Sequence, residues 1–152
     1  MPIRKMTIAD IPQVLAIQQE LAFQDWNERQ FQAEINASYA LSVVYESETG
    51  NRLLGYAIFH LMGPDSELLS IATTRNAQRK GIGAALLDAG ISSLDLKNGD
   101  KCFLEVREGN VNARKFYESH GFTQYGSRKK YYSDGENACL YSTDKFSQEN
   151  QK

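Results

Sequence analysis

Gln78-Arg79-Lys80-Gly81-Ile82-Gly83-Ala84 is the most informative stretch of this 152-residue chain. It follows Glu67 to Thr74, a short run that reads as a strand. It opens a run from Gly81 to about Lys97 that reads as a helix, with Ile82, Ala85, Leu86, Ala89 and Leu94 inward. The start of a helix carries free N–H groups and a partial positive charge, so it attracts phosphates. Glycines there let an anion approach the backbone and permit a tight turn. The residue three beyond Gly83 is Leu86, so the pattern is not G-x-G-x-x-G, and no Lys-Ser/Thr follows as in a P-loop. From Leu68 to Leu87 the basic residues are Arg75, Arg79 and Lys80, with no acidic residue among them. Spacing alone leaves two readings open: an anion site, or a glycine-rich turn with solvated basic side chains.

Upstream, Ile3 to Met6 reads as a short strand. Ile8 to Phe23 reads as a helix with Thr7 or Asp10 as N-cap, because Ile11, Val14, Leu15, Ile17, Gln18 and Leu21 recur at 3–4 spacing. A second helix is expected from about Asn27 to Asn36. Ala40 to Glu46 and Arg52 to Met62 are rich in β-branched and aromatic residues around the turn Glu48-Thr49-Gly50-Asn51, and form a hairpin. Gly63-Pro64-Asp65 is a further turn. Downstream, Asn98-Gly99-Asp100 ends the helix, Lys101 to Arg107 is a strand, and Val111 to Ser119 a helix closed by Gly121. Phe122 to Tyr132 and Asn137 to Thr143 make a last hairpin across Ser133-Asp134-Gly135. This order, about seven strands and four helices with hairpins among them, predicts an α/β fold of the α+β kind, a mixed sheet flanked by helices.

Composition fits that expectation. Hydrophobic residues are 41%, charged residues 24%, and the formal net charge is −2. A nucleic-acid coat or polybasic membrane anchor is not indicated. No run of about 18 apolar residues exists, and the N-terminus lacks the apolar core of a signal peptide, so a cytoplasmic protein is expected. Cys102 and Cys139 cannot make a disulfide framework, and no metal site is expected. They read as small buried hydrophobes. His60 and His120 read as ordinary polar residues. Residues 1–146 are expected to form one domain, with a polar tail from Ser147 to Lys152.

Q-R-K-G-I-G-A, after Glu67-Leu-Leu-Ser-Ile-Ala-Thr, resembles the acetyl-CoA signature Q/R-x-x-G-x-G/A of the GNAT superfamily of N-acetyltransferases. A second match is Phe103-Leu104-Glu105-Val106-Arg107, then Asn110, then Phe116-Tyr117-Glu118-Ser119-His120-Gly121-Phe122. A third is Arg128-Lys129-Lys130-Tyr131-Tyr132 with Asp134-Gly135-Glu136. Together they resemble the bacterial ribosomal-protein alanine N-acetyltransferases, over nearly the whole chain.

The resemblance implies acetyl-CoA bound in a gap between two splayed strands. The backbone of Ile71, Ala72 and Thr73 would hold the pantetheine arm. Gln78 and the turn Arg79, Lys80, Gly81, Ile82, Gly83 and Ala84 would take the pyrophosphate, and Asn110 would contact the cofactor. Glu105 matches the general base and Tyr117 the general acid. Apart from the resemblance, Trp26, Tyr131 and Tyr132 offer large contact area with few torsions, and could either line the acceptor groove or serve core or hairpin packing. The acceptor would be a protein N-terminus, a ribosomal protein among the candidates, or a small amine such as a polyamine or antibiotic. A module that only binds acyl-CoA is the remaining alternative. Two departures from the subfamily stand out: Ser133 where Pro is expected, and Asn137 where a second Asp is usual.

The chemistry suits these residues. An amine must be neutral to attack. A peptide α-amino group titrates at about 7.7–8.0, so about a tenth is neutral at pH 7. A base then helps without a large demand. Alternation along Lys101 to Arg107 puts Phe103, Glu105 and Arg107 on one face and Cys102, Leu104 and Val106 on the other. Partial burial would raise a Glu105 carboxyl toward neutrality. Without the motif, Glu105 could equally be an ion-paired carboxylate beside Arg107. Likewise Tyr117 could be helix-to-sheet packing beside Phe116, the expected core member of that pair.

Overall fold

The computed structural model describes residues 2–21 and 26–143. The expected end of the first helix at Phe23 and the expected tail from Ser147 lie outside the described residues. Seven strands are β1 (Ile3–Lys5), β2 (Ala40–Glu46), β3 (Leu53–His60), β4 (Asp65–Thr73), β5 (Lys101–Arg107), β6 (Phe122–Arg128) and β7 (Ala138–Thr143). Four helices are α1 (Ile11–Leu21), α2 (Glu28–Asn36), α3 (Ile82–Ile91) and α4 (Val111–Ser119). The sheet order is β1-β2-β3-β4-β5-β7-β6. β4 and β5 are parallel, whereas β1/β2, β2/β3, β5/β7 and β6/β7 are antiparallel. The sheet is therefore mixed, as the hairpins require.

The chain sorts into two compact units, one of Met1–Leu61 with Leu68–Ser93, the other of Met62–Glu67 with Leu94–Lys152. In the first unit, α1 buries Ile11, Val14, Ile17 and Gln18, four of the six positions expected on its inner face. Ile11, Val14 and Ile17 join Phe31 of α2 and Val44, Tyr56 and Ile58 of β2 and β3 in one apolar cluster. The approach to α1 is fixed by Asp10, which is buried. Its carboxylate accepts the Thr7 backbone N–H at 2.7 Å and N–H groups of Arg4 Nη1 and Nη2 at 2.8 Å. Arg4 Nε lies 2.9 Å from Glu46 Oε1. α2 begins with a reciprocal cap: Gln30 N–H donates to Asn27 Oδ1 and Asn27 N–H to Gln30 Oε1.

α3 ends at Ile91, six residues short of the expected Lys97. The cause is local. Ser93 Oγ donates to the Gly90 carbonyl at 2.7 Å and Ser92 Oγ to that of Ala89, so side chains take acceptors that another turn would use. Gly90 itself is a packing residue. A Cβ there would stand 2.4 Å from the Phe59 ring of β3. Gly55 of β3 has the same character, since a Cβ would meet the Ala72 carbonyl oxygen at 2.7 Å and Leu86 Cδ1 at 2.9 Å. These glycines let β3 lie close to β4 and α3.

In the second unit, β5 alternates as expected, with Cys102, Leu104 and Val106 buried and Phe103, Glu105 and Arg107 half-buried. β7 is buried at all six residues and lies between β5 and β6. β6 stops at Arg128, earlier than the expected Tyr132, and residues 129–137 form a loop. Both cysteines are buried and free. Gly121 has φ of +90°, which suits the residue after a helix.

Candidate active site

The first unit carries the predicted anion cradle. Gly81 caps α3 with φ of +80°, and Arg79 is left-handed at +65°. The first amide to bond back into the helix is Ala85, which donates to Gly81 at 3.0 Å. The amides of Ile82, Gly83 and Ala84 precede it and are the free donors of a helix start. Left-handed residues at 79 and 81 stand just before them, and turns of this kind can gather N–H groups toward an anion. Gly81, Arg79 and Lys80 are exposed, so an anion can reach them. Gln78 Nε2 donates to the Thr73 carbonyl at 3.2 Å and ties this turn to the end of β4. Ile71 and Thr73 are half-buried, and Ala72 is buried. The cradle thus fits a pyrophosphate on its own geometry.

Trp26, also in the first unit, is locked into packing. Its N–H donates to Gln18 Oε1, its carbonyl accepts from Gln18 Nε2 at 2.8 Å, and its ring lies 5.1 Å from that of Phe31. His60 Nε2 pairs with Glu34 Oε2 at 2.7 Å.

The second unit carries Glu105, Tyr117, Asn110, Tyr131 and Tyr132. Glu105 is half-buried. It faces Tyr131, and the pull of its carboxylate holds that phenol above its ordinary value. Tyr132 is also raised, by burial first and then by the Glu105 charge. The two rings meet edge to face at 5.2 Å. Tyr131, Tyr132 and Glu105 are therefore brought together, with Tyr131 open to solvent.

Three residues that the sequence reading did not assign hold this loop. Arg107 Nη1 donates to Asp134 Oδ2 and Glu136 Oε1, each at 2.9 Å, and its guanidinium carbon lies 4.1 Å from the Tyr132 ring centre. Glu136 Oε2 also accepts the Gly109 N–H at 2.8 Å. Asn137 Oδ1 accepts the N–H of Lys130, which has φ of +52°. An amide at 137 therefore does a structural task that needs only an acceptor oxygen, which an Asp also offers. Ser133 is second of four in the turn closed by Gly135 N–H to the Tyr132 carbonyl. The Asp-Gly pair at 134–135 was the available signal for this turn.

Tyr117 is the buried member of its pair, at 8% exposure. Phe116, expected in the core, is half-buried and stacks on His120 at 4.5 Å. The 3.6-residue period decides this, since neighbours on a helix diverge by 100°. Phe116 and Phe122 pack on the Tyr117 ring, and burial, with the nearby Cys102, pushes the phenol well above its ordinary value. Asn110 is the N-cap of α4: its Oδ1 accepts the Ala113 N–H at 3.2 Å.

A mixed sheet with four helices and a glycine turn opening the third is a fold shared with N-acetyltransferases. The pattern defining the acetyltransferase (GNAT) family matches residues 11–122, and the chain belongs to that family. It is an acetyl-transferring enzyme by that membership.

Its relatives include the [ribosomal protein bS18]-alanine N-acetyltransferase of Escherichia coli K12, 28% identical over 130 residues and covering 86% of each chain. The crystal structure of the Escherichia coli ribosomal-protein-S18-alanine N-acetyltransferase superposes with a TM-score of 0.80 at 31% identity. It covers 93% of this chain and 91% of its own. An N-alpha-acetyltransferase of Sulfurisphaera tokodaii is 38% identical over 74 residues, 48% of this chain and 44% of its own. Among the described residues no helix is long and apolar enough to cross a membrane, and no three His, Cys, Asp or Glu side chains group as a metal site.

Proposed function

We propose that this protein transfers acetyl from acetyl-CoA directly to the α-amine of a protein N-terminus, of the ribosomal-protein alanine type. The observation that carries the reading is Glu105, a half-buried carboxylate on β5 facing a solvent-open tyrosine. The likeness to alanine N-acetyltransferases over most of the chain supports the choice of acceptor.

In this reading the amides of residues 82–84, with Arg79 and Lys80, hold the pyrophosphate, and the backbone of Ile71 to Thr73 lies along the pantetheine. Glu105 takes the proton that the amine sheds as its nitrogen bonds the acetyl carbon. The carbon–sulfur bond breaks, and the Tyr117 phenol donates to the leaving sulfur and is reprotonated from solvent. Burial keeps the Tyr117 proton in place wherever the amine is reactive, though it also makes the phenol a weaker acid. No acyl-enzyme forms, so neither cysteine is needed. Tyr131 and Tyr132 flank the incoming chain.

The test is turnover of acetyl-CoA with peptides beginning Ala, Ser or Lys. Acetylation of the α-amine, fastest on Ala, is the expected result. No turnover on any free α-amine overturns the reading.

A further inference from the structure

We propose that Glu20 of α1 is a positioning residue for acetyl-CoA, which fastens the turn leaving β4 and so sets the pose of the anion cradle. This rests on the cofactor reading of that cradle. Every residue concerned lies in the first unit.

β4 ends at Thr73, and a short 3-10 turn, Arg75–Ala77, leads on to the cradle. The Ala77 and Gln78 N–H groups bond back to the Thr74 and Arg75 carbonyls at 3.0 and 3.3 Å. The Arg75 N–H opens the turn and needs an acceptor from elsewhere. Thr74 stands in the capping place, yet its side chain makes no cap bond, and its buried hydroxyl has no partner among the described residues. The fastening comes instead from a distant helix. Glu20 Oε2 accepts the Arg75 N–H at 2.8 Å, across 55 residues of sequence. An ionised carboxylate is a stronger acceptor for that N–H than a neutral oxygen.

Gln13 lies two helical turns before Glu20, on the same face of α1. Its Oε1 accepts the Leu53 N–H at 2.9 Å, where β3 begins. The Thr74 N–H donates to the Leu54 carbonyl at 2.9 Å and links the two held points. One face of α1 therefore grips the start of β3 and the exit of β4. Beyond Arg75, Gln78 Nε2 returns to the Thr73 carbonyl at 3.2 Å, so the cradle springs from backbone fastened on both sides.

Without Glu20 the turn loses one fastening, and the left-handed pair at 79 and 81 is presented correctly for only part of the time. Apparent affinity for the anion falls by that fraction. Glu20 is exposed, so its removal takes away a bond and leaves no hole in the core. Its charge alone would act the other way, because a carboxylate repels phosphate. The two roles thus predict opposite signs for cofactor affinity.

The experiment measures Glu20→Ala and Glu20→Gln beside wild type, with melting temperatures recorded to confirm that each folds. In Glu20→Ala the acetyl-CoA KM is expected to rise about three- to tenfold, the scale of one hydrogen bond. kcat and acceptor KM should change by less than about twofold, in keeping with lost cofactor binding. Glu20→Gln should restore most of the affinity, since its amide oxygen still accepts the Arg75 N–H. An acetyl-CoA KM that is unchanged or lower in Glu20→Ala, or that rises equally in both variants, overturns the inference while leaving the proposed activity intact.

A second readout needs no turnover. Amide hydrogen exchange at Arg75 and at residues 78–84 should quicken in Glu20→Ala and much less in Glu20→Gln, with the amides of Phe31 and Tyr56 unchanged. If wild type binds no CoA, the cofactor reading of the cradle fails on that ground alone. The exchange pattern still decides whether Glu20 orders the turn, and equal exchange in all three proteins overturns the inference.

Discussion

Arg107 lies with its guanidinium carbon 4.1 Å from the Tyr132 ring centre while donating to Asp134 and Glu136. One side chain at the end of β5 thus fastens both flanks of the 129–137 loop. A planar fork suits this better than an ammonium, because it stacks and donates together. Arg107→Lys should free the loop. Faster amide hydrogen exchange at residues 130–136 and a several-fold rise in acceptor KM are expected, with acetyl-CoA KM unchanged. The stability loss should stay near 1 kcal/mol, since the group is a third exposed and screened.

Removing the Glu105 charge has two separable effects. Glu105→Gln should cut kcat by about 10²- to 10⁴-fold, the usual worth of a positioned base. It should also lower the Tyr131 titration toward the ordinary phenol value, read by absorbance near 295 nm on a difference from Tyr131→Phe. The sign follows from the raised phenol. The folded protein holds that proton more tightly than the unfolded chain, so its stabilising share is complete below about pH 10. It is lost as pH rises through the folded value, and the variant should show less of this alkaline loss.

Asp10 governs the acid side. Burial pushes its carboxyl up, but the Arg4 hydrogen bonds and the Thr7 N–H outweigh burial and hold it below the ordinary carboxylate range. A lowered group stabilises above its unfolded value of about 3.9, and the contribution fades as pH falls through the folded value. Asp10→Asn should cost about 1–3 kcal/mol at pH 7 and remove the steepest part of the acid transition below pH 4. Urea titrations at pH 7 and pH 3 check both.

Gly90→Ala tests the packing of α3 on β3. Alanine favours a helix by about 1 kcal/mol over glycine. Here the added methyl stands 2.4 Å from Phe59 ring atoms, and crowding of that kind costs about 1–3 kcal/mol. Net destabilisation is expected. A rise in melting temperature would show that the Phe59 ring gives way.

Gly81→Ala tests the anion cradle. The left-handed φ of +80° costs an L-residue about 1–2 kcal/mol, so the turn should open. Acetyl-CoA KM should rise about tenfold while acceptor KM stays level.

Legibility followed the physics of each element. β2, β5 and α4 begin and end where the residue pattern puts them, because alternation or 3–4 spacing is sharp there and turn residues bound them. The reach of α3 was overestimated because Leu94 continues an apolar spacing, whereas Ser92 and Ser93 end the helix through their own hydroxyls. The nearness of Glu105 to the paired tyrosines followed from no local pattern, since residues 105 and 131 meet only through the β5, β6 and β7 pairings. Arg107 and Asn137 were missed as loop anchors for the same reason. Their partners lie 27 and 29 residues away for Arg107 and seven for Asn137, and charge or amide chemistry names no partner in advance. The motif resemblance pointed to Glu105 and Tyr131, and the loop's fastening emerged only in three dimensions.

The buried β7 has a consequence for biosynthesis. It sits between β5 and β6, although both are translated before it. A nascent chain that has emerged only through residue 128 presents two strands with no partner between them, and the 129–137 loop cannot be fastened. The second unit must therefore wait for Ala138 to Thr143 before it can close. Until then β5 offers an open edge, with Glu105 on it. A ribosome-bound intermediate should consequently be inert and prone to strand pairing with neighbours, and acetyltransfer can begin only once that last strand has slotted in.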